Sequence, residues 1–474
     1  RPMRGLMKLI MNKPRRHSRS ARRVKSSATT ILDSHPQVCQ ITDLSHDGRG
    51  VGRLAGKTCF VDGALPGETV EMRVWRHHRN YDEARLSKVL EPSLHRVDPA
   101  CRHFAQCGGC SLQHFHWERQ IDHKAAQLAA SFERRGMLAK RWLPTLTAAP
   151  FGYRRRVRLA VQRGRDGRWE LGFRNAGSRR IEPLSECLTM LPALAFWLPL
   201  LPSWLAEHCG QFTIKQIELV AGDQGVAIAV EANRRPSTPE LLQMRIALDG
   251  LSPSPEASSS VQMVQLWWKT PDASTFSCLD SEREPLRAAI TDRLSTIVEP
   301  GQFMQVNGAI NRQMIAQVLS LIEPTTEGVA VDLYSGAGNF TLPLAEHYRR
   351  VIGIEGLSDL VERGRRNAQH NGLTNVDFMV ADLAALKRPL DCNNGIQLVI
   401  LDPPRAGAAG VMPWIINSGA KQIVYVSCHP STLLRDAEIL GKGGFKLGAL
   451  GAMDMFPQTA HVEAMALFER VGVK

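Results

Sequence analysis

Gly328-Val-Ala-Val-Asp332-Leu-Tyr-Ser-Gly336-Ala-Gly338-Asn339-Phe-Thr341 is the stretch that decides the fold of the C-terminal part of the chain. The apolar residues up to Asp332 read as a strand buried on both faces, the two glycines as a turn, and Asn339 to Thr341 as the start of a helix. Glycines here let backbone N–H groups approach a ligand, as in dinucleotide sites, yet the third glycine of a G-x-G-x-x-G fingerprint is absent.

Downstream, Val351-Ile-Gly-Ile-Glu355 is a second strand, ending in an acid about where a ribose diol would be gripped. A helix is expected from Ser358 to about His370, with Ser358 as its N-cap. Val376 to Val380 reads as a third strand with Asp382 just past its end. Ile396-Gln-Leu-Val-Ile-Leu-Asp402-Pro-Pro-Arg405 reads as a fourth, stopped by its prolines, and Gln422-Ile-Val-Tyr-Val-Ser-Cys428-His-Pro430 as a fifth. Strands alternating with helices from Pro300 onward predict a Rossmann-like α/β domain with a parallel sheet. Asp332, Glu355, Asp402 and Cys428 then fall on the rim where open α/β sheets bind ligands. A free cysteine is by itself more often a small buried hydrophobe. Cys428 earns a chemical reading only from its place beside three acids.

The rest of the chain bounds the partners. Its 474 residues exceed one ordinary core, and 43% hydrophobic with 22% charged residues is a globular composition. No run approaches the roughly 20 apolar residues of a transmembrane helix, so no membrane association is expected. A net charge of +13 points to a polyanion such as nucleic acid. Ten cysteines are too sparse for a disulfide scaffold, which places the protein in a reducing, cytoplasmic setting. Cys39, Cys59, Cys209, Cys278 and Cys392 are scattered and read as ordinary thiols.

Residues 1–35 hold ten Lys or Arg against the single acid Asp33 and are expected to be a disordered basic arm. Across residues 36–95, five short glycine-punctuated strands predict an OB-like β-barrel. Arg73, Trp75, Arg76, His77, His78, Arg79 and Tyr81 interleave basic and aromatic groups there, as a nucleic-acid surface requires. Residues 96–300 read as a central α+β domain. Cys101, Cys107 and Cys110 stand in a C-x5-C-x2-C group suited to a metal or a cluster, with Cys187 as the fourth ligand; spacing alone leaves zinc and iron–sulfur both open. Arg154, Arg156, Arg158 and Arg174 lie on basic, alternating strands and are expected to face phosphates.

Together Cys101, Cys107, Cys110, Cys187, Phe303-Met-Gln305-Val-Asn307, the turn from Asp332 to Asn339, Leu401-Asp402-Pro-Pro-Arg405, Ser427-Cys428-His-Pro and His461-Val-Glu463 resemble the RNA uracil-5-methyltransferases over residues 36–474. Within them the chain looks most like the bacterial enzymes that act on uridine 1939 of 23S ribosomal RNA and carry an N-terminal TRAM domain. The resemblance implies a class I methyltransferase domain over residues 301–474, with S-adenosylmethionine bound by Gln305, Tyr334, Asn339, Glu355, Asp382 and Asp402. It also implies a [4Fe–4S] cluster on the four cysteines and 23S ribosomal RNA as partner, with no obligate protein partner. Tyr334-Ser335 departs from a more usual Phe-Cys, and Asp382 stands where an Asn can occur. Under this resemblance Cys428 is the nucleophile that adds to uracil C6 and Glu463 the base that removes the C5 proton. No cation near Cys428 can be identified from the sequence. A related site on ribosomal or transfer RNA, and a non-catalytic iron–sulfur RNA-binding protein, are the alternative readings.

Overall fold

In the computed structural model the residues described are 29–30, 35–175, 178–251, 263–280, 282–323, 325–386 and 395–472. Most of the expected basic arm, the Ser- and Pro-rich loop 252–260 and Cys392 lie outside the described residues. Thr29 and Thr30 pair antiparallel with His77 and Arg76, which differs from the disorder expected for these two residues of the arm.

The chain divides into two compact units, residues 1–43 with 50–91, and residues 44–49 with 92–474. In the first, strands Gln37–Leu44, Gly50–Leu54, Lys57–Asp62, Thr69–His77 and Tyr81–Glu91 close on themselves, because Tyr81–Glu91 pairs with both Lys57–Asp62 and Thr69–His77. Closure removes the exposed sheet edges of five short strands. The interior is filled by alternate residues, among them Ile41, Val61, Val70, Met72 and Val74. Gly52 is needed where strands approach closely, since a Cβ there would stand 2.7 Å from the carbonyl oxygen of Gln40. On its surface Arg85 lies 5.3 Å over the Trp75 ring and His78 stacks on Tyr81 at 4.2 Å. Asp82 pairs with Lys57 and His77, so part of the basic charge is internally balanced.

The second unit holds two larger sheets. A seven-stranded mixed sheet, in the order Ile181–Pro183, Trp169–Arg174, Arg156–Arg163, Ile214–Ala221, Gly225–Ala232, Met263–Lys269, Ser277–Cys278, buries Trp197, Trp204 and Trp268 beneath short helices. Helix α1 (Trp117–Glu133) precedes that sheet in sequence but sends Leu128 and Phe132 into the core of the other one.

That other sheet lies after helix α2 (Gly308–Leu321), capped by the Asn307 side chain, which accepts from the Ile310 amide. Its members are β1 (Thr325–Leu333), β2 (Tyr348–Glu355), then after helix α3 (Ser358–His370) β3 (Val376–Val380), β4 (Ile396–Leu401) and β5 (Gln422–Ser427), then after helix α4 (Pro430–Lys442) β6 (Phe445–Met453) and β7 (Glu463–Arg470). The spatial order is β3-β2-β1-β4-β5-β7-β6, with Arg141–Trp142 added beyond β6. Strands β1 to β5 are parallel and β7 runs antiparallel between β5 and β6. Both faces are covered by apolar clusters, which is why these strands read as continuous hydrophobic runs. Helix α3 starts at Ser358 as expected, but its cap is Leu357, without a side-chain bond. The cap groups are served instead by Glu355, whose Oε1 accepts from the amides of Gly356 and Leu357. No helix among the described residues is long and apolar enough to cross a membrane.

Candidate active site

Parallel strands deliver their carboxyl ends to one edge, and this edge collects the polar residues. Cys428 comes directly after β5, and Pro430 opens α4 two residues later, a position where the missing N–H of proline costs nothing. Asp402 comes directly after β4, Glu355 ends β2, and Asp382 lies two residues beyond β3. Because β7 is antiparallel to β5, its first residue, Glu463, arrives at the same edge. Ser427 faces Ala464 in the register, so Cys428 and Glu463 are the next residues outward on neighbouring strands.

The electrostatics of this edge are those of acids crowded away from water. Burial pushes the Glu463 carboxyl up to about 8, with the Asp402 anion adding to the shift. Asp402 is itself pushed up to about 7 by burial, opposed by a hydrogen bond from Gln305 Nε2 to Oδ2 at 3.2 Å. The half-buried Cys428 thiol is raised by burial, then by Glu463 and Asp402; the Arg405 guanidinium opposes all three. Arg405 is therefore the cation that sequence reasoning missed, although it stands in the Asp-Pro-Pro-Arg stretch already singled out. Only the return of that loop toward α4 makes it a neighbour of Cys428. The buried Asp436 of α4 accepts from the Ala408 amide at 2.7 Å, from Tyr425 OH at 2.8 Å and from its neighbour Arg435. Arg435 in turn donates to the Ala406 carbonyl at 3.0 Å, so α4 grips the loop just beyond Arg405. The N-terminus of α4 adds its partial positive charge next to the thiol.

At the glycine turn, Tyr334 adopts a left-handed φ of 61°, and Gly338 a φ of 100° that only glycine takes without strain. Glu355 Oε2 accepts from the Gly336 amide at 3.1 Å, tying the ends of β1 and β2 together. Asn339 exchanges two amide bonds with Asn311 of α2, each 2.9 Å. Asp382 accepts from the Ala384 amide and stays exposed. Asp332 departs from its expected place on the rim: it lies inside β1, 1% exposed, accepts from Thr341 Oγ1 at 2.6 Å, and is pushed up to about 7 by burial. Its carboxyl holds the turn from below. The Ser335 hydroxyl is buried with no hydrogen-bond partner among the described residues.

Three arginines expected to face phosphates are engaged within the protein. Arg156 and Arg158 bind the fully buried Glu218 at 2.7 and 2.8 Å, since that carboxylate requires paired charge. Arg174 donates to the Arg179 carbonyl at 3.0 Å. Arg154 lies 5.9 Å over both Tyr153 and Phe456.

Cys101, Cys107, Cys110 and Cys187 line a single cavity of about 230 Å³, together with Phe104, Phe173 and Arg154. Burial and mutual repulsion raise Cys101, Cys107 and Cys110, the last to about 11. Among the described residues no three His, Cys, Asp or Glu groups are arranged to hold one metal ion. His103, inside the cysteine run, is taken by Glu182 at 3.1 Å and Ser185 at 3.3 Å.

Residues 284–471 match the family model of tRNA (uracil-5-)-methyltransferases, and residues 39–86 match the TRAM domain. The chain is 38% identical to a 23S rRNA (uracil(1939)-C(5))-methyltransferase RlmD of Marinomonas sp., over 95% of this chain and 99% of that protein. It is 40% identical to the same enzyme of Stenotrophomonas maltophilia, over 93% and 98%. A crystal structure of Pyrococcus abyssi tRNA (uracil-54, C5)-methyltransferase with S-adenosyl-L-homocysteine has the same fold, with a TM-score of 0.68 at 24% identity, covering 91% of this chain and all of that one.

Proposed function

The chain belongs to the RNA uracil-5-methyltransferase family, and from that premise we propose that it methylates C5 of uridine 1939 in 23S ribosomal RNA, using S-adenosylmethionine. The observation that carries the mechanism is the register of β5 and β7, which sets a thiol and a raised carboxyl side by side at the ligand-binding edge.

Uracil C5 is a weak nucleophile. Addition of the Cys428 thiolate to C6 pushes the electron pair of the C5–C6 double bond toward C5. S-adenosylmethionine supplies the electrophilic methyl group when bound. Gln305, Tyr334, Asn339, Glu355, Asp382 and Asp402 would hold it. They fit, because Glu355 keeps lone pairs beside a turn whose glycine carries no side chain, and Gln305 and Asp402 are already linked. Once C5 carries both methyl and hydrogen, Glu463 removes the proton, the double bond re-forms, and the Cys428 thiolate leaves C6. A base near 8 is matched to this task at neutral pH. The Arg405 guanidinium and the start of α4 oppose part of the burial that raises the Cys428 thiol. The target base must leave its stack to reach Cys428, and the basic and aromatic surface of the barrel supplies RNA contacts.

The four cysteines line one common cavity, and a [4Fe–4S] cluster is the group that the family resemblance assigns to them. Cys101, Cys107, Cys110 and Cys187 would each give one thiolate to it.

Mass mapping of 5-methyluridine in 23S ribosomal RNA tests the function. Deletion of the gene should remove the methyl group at uridine 1939, the wild-type gene should restore it, and Cys428→Ala should not. Retained methylation in the deletion strain, or restoration by Cys428→Ala, overturns the reading.

A further inference from the structure

Glu463 stands at the end of a connection that has almost no freedom. The link from β6 to β7, residues 454–462, is tied at several points to the chain just after the cysteine triplet. Gln458, 3% exposed and at a left-handed φ of 68°, accepts from the amides of Ser111 and Leu112 at 2.9 and 3.0 Å through its carbonyl oxygen. Its side-chain oxygen accepts from Gln120 Nε2 at 3.0 Å, and its amide donates back to Gln120 Oε1 at 3.2 Å. Gln120 Nε2 also donates to the carbonyls of Leu112 and Phe115, so the three segments meet at one buried amide. The Ala460 amide donates to Ser111 Oγ at 3.0 Å. Lys124 and Asp454, both buried, form an ion pair at 2.7 Å.

Cys110 is the residue before Ser111, and Tyr153, beside the Arg154 that lines the cysteine cavity, donates to the Pro457 carbonyl at 3.0 Å. The cysteine site and the approach to Glu463 therefore share one set of hydrogen bonds. A left-handed, non-glycine residue such as Gln458 persists only where its surroundings over-determine it.

We propose that the cysteine site acts on the reaction by position: through Ser111, Leu112 and Gln120 it holds the 454–462 connection, and with it Glu463, at its place beside Cys428. Ser111 and Gln120 are positioning residues, since neither reaches the reacting atoms. The proposal rests on the reading of Glu463 as the base. It assigns the four-cysteine site no electron transfer and no contact with the target base.

Such a role has a kinetic signature. Displacing the base by a fraction of an ångström leaves addition of Cys428 intact and slows proton removal, so the covalent RNA adduct collects while product falls, by roughly 10- to 100-fold. Ser111→Ala removes one hydrogen bond without touching a thiol or the buried core, and Ser111→Thr restores the hydroxyl. Two measurements on the full-length protein test the idea. The first is the fraction of 23S RNA fragment held as adduct in steady state, in Ser111→Ala and Ser111→Thr against Glu463→Gln as control. The second is hydrogen exchange of the amides in residues 454–463, in Ser111→Ala and in Cys110→Ser. Adduct accumulation in Ser111→Ala with rescue by Ser111→Thr, and faster exchange confined to 454–463 in both Ser111→Ala and Cys110→Ser, are expected. Unchanged exchange in Cys110→Ser, or adduct and product falling together in Ser111→Ala, overturns the proposal. If the Glu463→Gln control itself forms no lasting adduct, the base assignment has failed, and the exchange experiment alone decides whether the cysteine site holds the connection.

Discussion

Cys428 and the Cys101-Cys107-Cys110-Cys187 group are both half-buried thiols, and burial raises Cys428 as it raises Cys101, Cys107 and Cys110. What surrounds them differs. Cys428 is a single thiol within electrostatic reach of the Arg405 guanidinium and of the Glu463 and Asp402 carboxyls, just ahead of a helix N-terminus, so its charge can be made and removed one proton at a time. The four cavity cysteines line a common space in which burial and the neighbouring sulfurs favour the protonated form of Cys101, Cys107 and Cys110, and a bound multivalent cation would draw those protons off. The first arrangement suits turnover, and the second suits the bound group proposed for it.

That contrast can be broken most severely at the four-cysteine cavity. Protein purified without oxygen should be brown and contain iron, and Cys107→Ser should lose both absorbance and metal; a colourless wild-type protein containing zinc would remove the distinction as drawn. At the rim the effect is more moderate. Arg405→Met should slow alkylation of Cys428 by iodoacetamide near neutral pH by about three- to tenfold, because an exposed guanidinium acts through partly screened charge. The four cavity cysteines should show no matching change, and an unaltered Cys428 rate would exclude Arg405 as the activating cation. The smallest effect is on stability. Glu463 is raised from an ordinary 4.5 to about 8, so the folded state holds a proton that the unfolded state releases between those values. Stability conferred by the neutral carboxyl is complete below about pH 4.5 and is lost as pH rises toward 8. Glu463→Gln, which cannot ionise, should therefore be more stable than wild type by on the order of a few kcal/mol at about pH 8 and nearly equal to it at about pH 4.5. Denaturant melts at both pH values check this, and an equal difference at both would show that Glu463 is not a buried, neutral acid.

Much of the catalytic sheet was legible because its strands are buried on both faces and stop abruptly. Pro403 and Pro430 mark the ends of β4 and β5, and the acid or thiol beside each is placed at the edge by that stop. Asp332 was misplaced because a strand-end acid and an acid just inside the strand look alike in one dimension; Thr341, nine residues on, decides between them. That Arg156 and Arg158 share a buried carboxylate was hidden for a similar reason. Their partner Glu218 lies on a neighbouring strand, 62 and 60 residues away, and nothing local announces that it is buried.

The sequence by itself determined the order of strands and helices, the residue types at the strand ends and the spacing of the cysteines, since periodicity, proline stops and glycine turns are local properties. Tertiary structure alone decided that β7 inserts antiparallel beside β5 and so carries Glu463 to Cys428, that the Asp-Pro-Pro-Arg loop folds back to bring Arg405 to the same thiol, and that Gln120 meets Gln458. Each of these depends on contacts between segments far apart in the chain, and such contacts are set by how buried surfaces fit together, which no single stretch of residues encodes.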